Sequence, residues 1–168
     1  MKYFSRVVLL LAILVFSFSI IVSAQENARE AAKWEVRDFL GKLFEANKAK
    51  DLKKIESFYS HNADVVFIGP TNNDRWVGWT SFHKHIAPIY ADKSFKYTKM
   101  AFRDAVIYPS KTGDFASFSV IVDEAFDFKG KTVEVPGTRF SGAAEKVDGK
   151  WQIVQHVYFV PLPAKEEK

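Results

Sequence analysis

Beyond Phe95 the chain reads as strands only. Phe95–Tyr108, Phe115–Phe128, Thr132–Lys146 and Trp151–Val160 are long runs rich in β-branched and aromatic residues, and the breaks between them are short. Ser110-Lys111-Thr112-Gly113-Asp114 makes one turn. Lys129-Gly130 and Asp148-Gly149 make two more, each two residues long and ending in glycine, the pattern of a tight antiparallel hairpin. Strands joined this closely pair antiparallel, because a parallel crossover needs a dozen residues or more.

The first half supplies what covers such a sheet. Between Glu26 and Ala49, Trp34, Leu40, Leu43, Phe44 and Ala46 recur at helical spacing with charges between them. Asp51 is placed to cap a second, short helix carrying Leu52, Ile55, Phe58 and Tyr59. Val65–Ile68 predicts a buried strand stopped by Gly69-Pro70. The loop Thr71–Arg75 then leads into Trp76-Val77-Gly78-Trp79, which opens a third helix with Phe82, Ile86 and Tyr90 on one stripe. Three helices ahead of long hairpins predict an α+β layer architecture, helices on one face of a curved, mainly antiparallel sheet.

Turn length sets the pairing. A two-residue turn at Lys129-Gly130 puts Glu124 opposite Val135 and Val120 opposite Arg139; a like turn at Asp148-Gly149 puts Arg139 opposite Tyr158 and Ser141 opposite His156. Side chains alternate between faces. One face then collects Val120, Val122, Glu124, Val135, Arg139, Ser141, Ala143, Val154, His156 and Tyr158. The other takes Thr138, Phe140, Trp151, Ile153, Gln155, Val157 and Phe159. Both are largely apolar, so both need cover: helices on one, a second subunit on the other.

The N-terminus predicts export. Lys2 and Arg6 precede an apolar Val7–Val22, and Val22-Ser23-Ala24 offers small residues for cleavage after Ala24. The expected organisation is a signal peptide at 1–24, one domain at 25–160 and a loose tail at 161–168, in the periplasm or secreted, meeting the membrane only through the signal. No cysteine occurs, so neither a lipid-bearing cysteine nor a disulfide framework is available. The first 24 residues hold two bases and no acid; the remainder carries 22 bases against 20 acids, a net +2 that gives no case for nucleic acid.

The stretches AKDLKKIESFYSHNADVVFIGP, WVGW, GTRFSG and DGKWQIVQHVYFVP, in this order and spacing from Trp34 to Pro161, resemble the nuclear transport factor 2-like superfamily and, within it, the SnoaL-like domains. The resemblance implies a cone of three helices closed by a strongly curved sheet, a pocket inside the cone, and a homodimer through the outer sheet face. It does not carry a function, since this fold hosts isomerases, cyclases, dehydratases, hydrolases and binding modules. The ketosteroid-isomerase type needs a carboxylate base on the first strand and a tyrosine on the first helix; Val65–Ile68 and Phe39, Leu40, Leu43 and Phe44 stand there instead.

An arginine on an apolar face is costly unless paired or aimed at a ligand. Arg139 is therefore expected either to pair with Glu124 and Tyr158 or to hold a carboxylate or carbonyl by its guanidinium fork. With Glu124, Ser141, His156 and Tyr158 it would orient the polar end of a small, largely apolar molecule, and Phe67, Trp76 and Trp79 would wall the pocket mouth or simply pack the core. The rival expectation is a cofactor-free isomerase, cyclase, dehydratase or hydrolase with His156 as acid or base and Arg139 as electrostatic stabiliser. A third is a protein-interaction module using the outer sheet face. His83 and His85 stand two apart, which sends them to different sides of a helix, so no metal is expected. No cofactor is expected either, because phosphate-cradling glycine loops and nucleophile elbows are missing from the sequence.

Overall fold

A computed structural model describes residues 2–161, with side chains described from Ser23 onward. The expected signal peptide therefore falls, apart from Ser23 and Ala24, outside the described side chains, and all of the expected tail but Pro161 lies outside the described residues. Helix α1 (Lys2–Lys48) buries Ala32, Val36, Leu40 and Leu43, spaced three or four apart along one stripe. Trp34, expected in that stripe, is 71% exposed. Asp51 accepts from the Lys54 N–H at 3.0 Å and caps α2 (Leu52–Glu56) as its sequence position predicts.

The sheet runs in the order β2-β1-β6-β5-β4-β3 and does not close. Its four long strands are β3 (Phe95–Pro109), β4 (Phe115–Phe128), β5 (Lys131–Val147) and β6 (Lys150–Phe159). β1 (Val66–Ile68) lies parallel to β6 and sets Phe67 beside His156, while β2 (Arg75–Val77) pairs with β1. β2 is a correction. The segment expected to open the third helix is a strand as far as Val77, and Gly78 (φ 80°) turns the chain so that α3 (Trp79–Ala91) starts at Trp79.

Both two-residue turns form as their sequences predict, with positive φ at Lys129 and Gly130 and again at Asp148 and Gly149. The pairing next to each turn also holds: Glu124 faces Val135, and Lys146 faces Trp151. Further along, the register slips twice. Val122 pairs with Thr138 and Glu124 with Val135, which leaves Pro136 and Gly137 opposite Asp123 alone. Gly137 takes φ 76° and its N–H donates to Asp123 Oδ1 at 2.9 Å, a β-bulge with glycine at the left-handed position. On β6, Val154 is the extra residue between the pairs Ala143–Gln155 and Ala144–Ile153.

Between these bulges every expected pair shifts by one. Arg139 faces Ile121 and Phe159, Ser141 faces Ser119 and Val157, and Gly142 faces His156. Phe140 faces Val120 and Tyr158 and is buried in the core, as are Thr138, Trp151 and Ile153. The expected second apolar face therefore loses four of its seven residues, Phe140 and Trp151 among them, to the interior. What remains outside is mixed: Ile121, Val157 and Phe159, with the Ser119–Ser141 hydroxyl contact at 2.9 Å and the Arg103–Asp123 ion pair at 3.0 Å. Bulges also raise local twist, and with those at Thr98 and Asp104–Ala105 of β3 they bend the sheet around α1 and α3.

Candidate functional site

A cavity of about 310 Å³ lies between α1, α3 and the concave face of the sheet. α1 contributes Leu43, Phe44 and Asn47; α3 contributes Phe82, Ile86, Ile89 and Tyr90; the floor is Tyr97, Met100, Val122, Glu124, Phe140, His156 and Tyr158. The turn between β1 and β2 brings Gly69, Pro70 and Asp74 to the rim, where Trp76 stacks on His85 with ring centres 4.1 Å apart. A larger groove of about 680 Å³ runs along the outside of α3 past His61 and Thr80, but it is open to solvent and shares only Trp76 and His85 with the cavity.

Glu124 is the chemical centre of this space. It is 4% exposed, and Tyr158 Oη donates to its Oε1 at 2.5 Å. Burial pushes the Glu124 carboxyl above the usual carboxylate range; the bond from Tyr158 and, more weakly, the nearby Thr138 pull it back. Thr138 Oγ1 itself is buried and reaches no partner at full hydrogen-bond geometry. Burial raises the phenols of Tyr59, Tyr90 and Tyr97, and raises Tyr158 with help from the Glu124 charge, so all four remain protonated donors near neutral pH. Tyr90 spends its proton on Asn47 Oδ1, and Asn47 is tied in turn to the Leu43 carbonyl at 2.8 Å.

His156 is present in the wall but in an unexpected state. Rings of Phe67, Phe140, Phe82 and Tyr59 stand 4.9 to 5.6 Å from it, and burial pushes its pKa down to about 3. The ring is neutral at physiological pH, and its buried Nδ1 has no hydrogen-bond partner. No acid is bonded to it among the described residues, so no carboxylate orients or charges His156 for the acid–base role expected of it.

Of the residues singled out from sequence, Glu124, His156, Tyr158 and Trp76 line the cavity. Arg139 and Ser141 do not. The bulge at Pro136-Gly137 turns both to the outer face, where Arg139 Nη1 donates to the Gly137 carbonyl and Ser141 meets Ser119. The roles expected of Arg139, as a fork for an anion and as an electrostatic stabiliser, are therefore withdrawn. Phe67 is wholly buried behind His156, and Trp79 is stacked between Tyr59 and His61, so neither reaches the cavity. His83 contacts Glu56 at 2.8 Å while His85 stacks on Trp76, so the pair diverges as its spacing predicts. Asn47, Tyr97 and Phe140 line the cavity without having been singled out from sequence as site residues, and so does Tyr59, expected only on the stripe of the second helix. Tyr90 was legible, because it stands eight residues after Phe82 on the same helical stripe.

Comparisons with known proteins place this geometry. A search of curated proteins finds no match. Among solved structures, an NTF2-like protein of unknown function from Pseudomonas putida KT2440 is similar at 15% identity and TM-score 0.63, covering 83% of this chain and 93% of that one. An NTF2-like protein of unknown function in nutrient uptake from Rhodospirillum rubrum ATCC 11170 matches at 22% identity and TM-score 0.60, covering 76% and 98%. A candidate scytalone dehydratase from Novosphingobium aromaticivorans DSM 12444 matches at 10% identity and TM-score 0.66, covering 82% and 89%. At these identities the likeness establishes the fold alone. The family is established by sequence: the model of the SnoaL-like domain matches residues 36–163, and the chain belongs to the SnoaL-like domain family.

Proposed function

We propose that this is an exported SnoaL-like protein whose cavity binds a small, largely apolar molecule by its polar end. The observation that carries the reading is the Glu124–Tyr158 hydrogen bond set in the wall of an otherwise ring-lined space. A volume near 310 Å³ sits at the lower bound of small-molecule sites and suits a ligand of one or two rings. Polar specificity then rests on very few groups, here one carboxyl and its tyrosine. Export rests on Lys2, Arg6, the apolar Val7–Val22 and the small residues before Gln25. The homodimer rests on the family resemblance and on the narrower apolar patch of Ile121, Val157 and Phe159.

One spectrum tests the three parts separately. The full chain is expressed, recovered from the exported fraction, and examined by native mass spectrometry. A mass beginning at Gln25, a dimer, and a retained small molecule lost in Phe140→Trp support the respective parts. Protein held in the cytoplasm, a monomer at micromolar concentration, or a retained molecule indifferent to that cavity-filling change counts against the corresponding part.

A second reading, proton-transfer catalysis, is favoured by one specific feature: a carboxyl raised by burial and hydrogen-bonded to a tyrosine at the cavity wall. It assigns acid–base work to Glu124 and not to His156, whose ring resists protonation. For any substrate the exported protein turns over, Glu124→Gln should lower kcat by at least about 100-fold while His156→Gln changes its pH profile little. A reversed pattern would return the role to His156.

A further inference from the structure

The cavity is one-sided in charge. Glu124 is in its wall and Asp74 at its rim, and no lysine or arginine lines it. Arg139, the nearest basic residue in the sequence reading, is on the outer face. His156 is no substitute, since its ring is neutral. Tyr158 gives Glu124 Oε1 its one hydrogen bond of full geometry among the described residues, the Thr138 hydroxyl stands nearby, and both of these neighbours are neutral. A carboxyl in apolar surroundings with no cation beside it is half of an ion pair. The cavity is lined by the rings of Tyr59, Tyr90, Tyr97, Tyr158, Phe140 and Trp76, and aromatic faces attract cations, most strongly where water is excluded.

We propose that the ligand's polar end is a cation, and that the cavity takes an aromatic or alicyclic amine whose ammonium donates to Glu124 and rests against the tyrosine rings. The inference builds on the reading of this cavity as a ligand site and names what that site selects. An amine supplies what the lining lacks, a counter-charge that carries its own N–H donors to the carboxylate. A carboxylate or phosphate would face Glu124 and Asp74 with nothing to neutralise it. A neutral alcohol would donate one hydrogen bond without completing the pair.

Binding an ammonium favours the ionised carboxyl, which burial disfavours in the empty cavity. Affinity for an amine therefore rises with pH through the elevated Glu124 titration and levels off above it. The groups facing Glu124 do not obscure this. Asn47 of α1 does not titrate, the phenols of Tyr90 on α3, Tyr97 on β3 and Tyr158 on β6 are all raised, and His156 on β6 is held neutral. At the rim, Asp74 and His85 are the other ionisable side chains, a source of pH dependence apart from Glu124. The variant at Glu124 separates the two.

The test uses three probes of matched shape, 2-phenylethylamine, 2-phenylethanol and 3-phenylpropionate, titrated calorimetrically into the full chain as the cell processes it, between pH 5 and 8.5. The amine is expected to bind at least about tenfold more tightly than the alcohol at pH 8 and more weakly as pH falls, with the carboxylate weakest. Glu124→Gln should erase the amine's advantage and leave the alcohol within about threefold. Ile89→Trp at the half-open rim should weaken every probe. An alcohol that binds as well as the amine, or an amine preference that survives Glu124→Gln, overturns the cation while leaving the cavity reading intact. Should Glu124→Gln not fold, an amine affinity flat from pH 5 to 8.5 in the wild type overturns it equally. If no probe binds at millimolar concentration, or if the amine binds undiminished in Ile89→Trp, the cavity reading fails and the inference falls with it.

Discussion

Arg139 and Phe140 are neighbours in the chain and live in opposite worlds. Phe140 lies against Phe44 and Phe118 at 5.6 and 5.4 Å and looks into the cavity beside His156. Arg139 is turned to the outer face, where it bonds a backbone carbonyl beside a row of serines. Across the same strands the inner face keeps one carboxyl without a cation, while the outer face gives Asp123 both Arg103 and a backbone N–H. The difference teaches that a single bulge sorts charge between water and core. Had the strands run straight, a guanidinium would stand where Phe140 is, and Glu124 would have its partner.

The comparison breaks first on stability. Phe140→Ala should cost about 4 kcal/mol, as for a large ring removed from a packed core, whereas Arg139→Ala should stay within about 0.5 kcal/mol. Chemical denaturation of both variants checks this, and equal losses would mean that the strands are not bulged as described.

Acid titration comes next. The folded His156 ring is held to about 3 against an ordinary 6.5, so between those values the unfolded chain binds a proton that the folded chain does not. Stability then falls as pH drops from 6.5 toward 3, by at most about 1.4 kcal/mol per pH unit from this group. His156→Phe should flatten that limb. Glu124 acts in the opposite sense. Its raised carboxyl makes the folded state the better proton binder, so its contribution declines as pH climbs above the ordinary carboxylate range and through the raised value. A melting-temperature profile with no acid limb, or one unchanged in His156→Phe, would count against a neutral buried ring.

The smallest effect sharpens the cause of the sorting. Gly137 holds φ 76°, which an alanine tolerates poorly, so Gly137→Ala should cost about 1 kcal/mol. Loss of the Asp123 contact would show as faster amide exchange at Gly137, and a silent substitution would mean that the bulge does not depend on its glycine.

Much of the fold was readable in advance, for local reasons. Lys129-Gly130 and Asp148-Gly149 carry their own turn geometry, Asp51 its own cap, and Phe82, Ile86 and Tyr90 their own helical stripe. The candidate site was half readable. Glu124, His156 and Tyr158 were placed inward, the first because β4 carries no slip between its turn and that residue, the other two because the two slips cancel for them. Arg139 and Ser141 sit between the slips and turned outward, while Thr138 and Phe140 beside them turned inward. Pro136-Gly137 inside a strand was the available signal, since proline and glycine together there mark a bulge. The bulge at Val154 has no such mark.

The amino-acid sequence by itself determined the order of elements apart from β2, the turns, the amphipathic stripe of α1 and the family to which the chain belongs, because each depends on residues close together or on a pattern of spacing. Only the tertiary structure decided which face each residue of β5 occupies, that Glu124 is left with a tyrosine and no cation, and that His156 is neutral. Those properties come from a one-residue offset between strands and from the water it excludes, and neither quantity belongs to any residue taken alone.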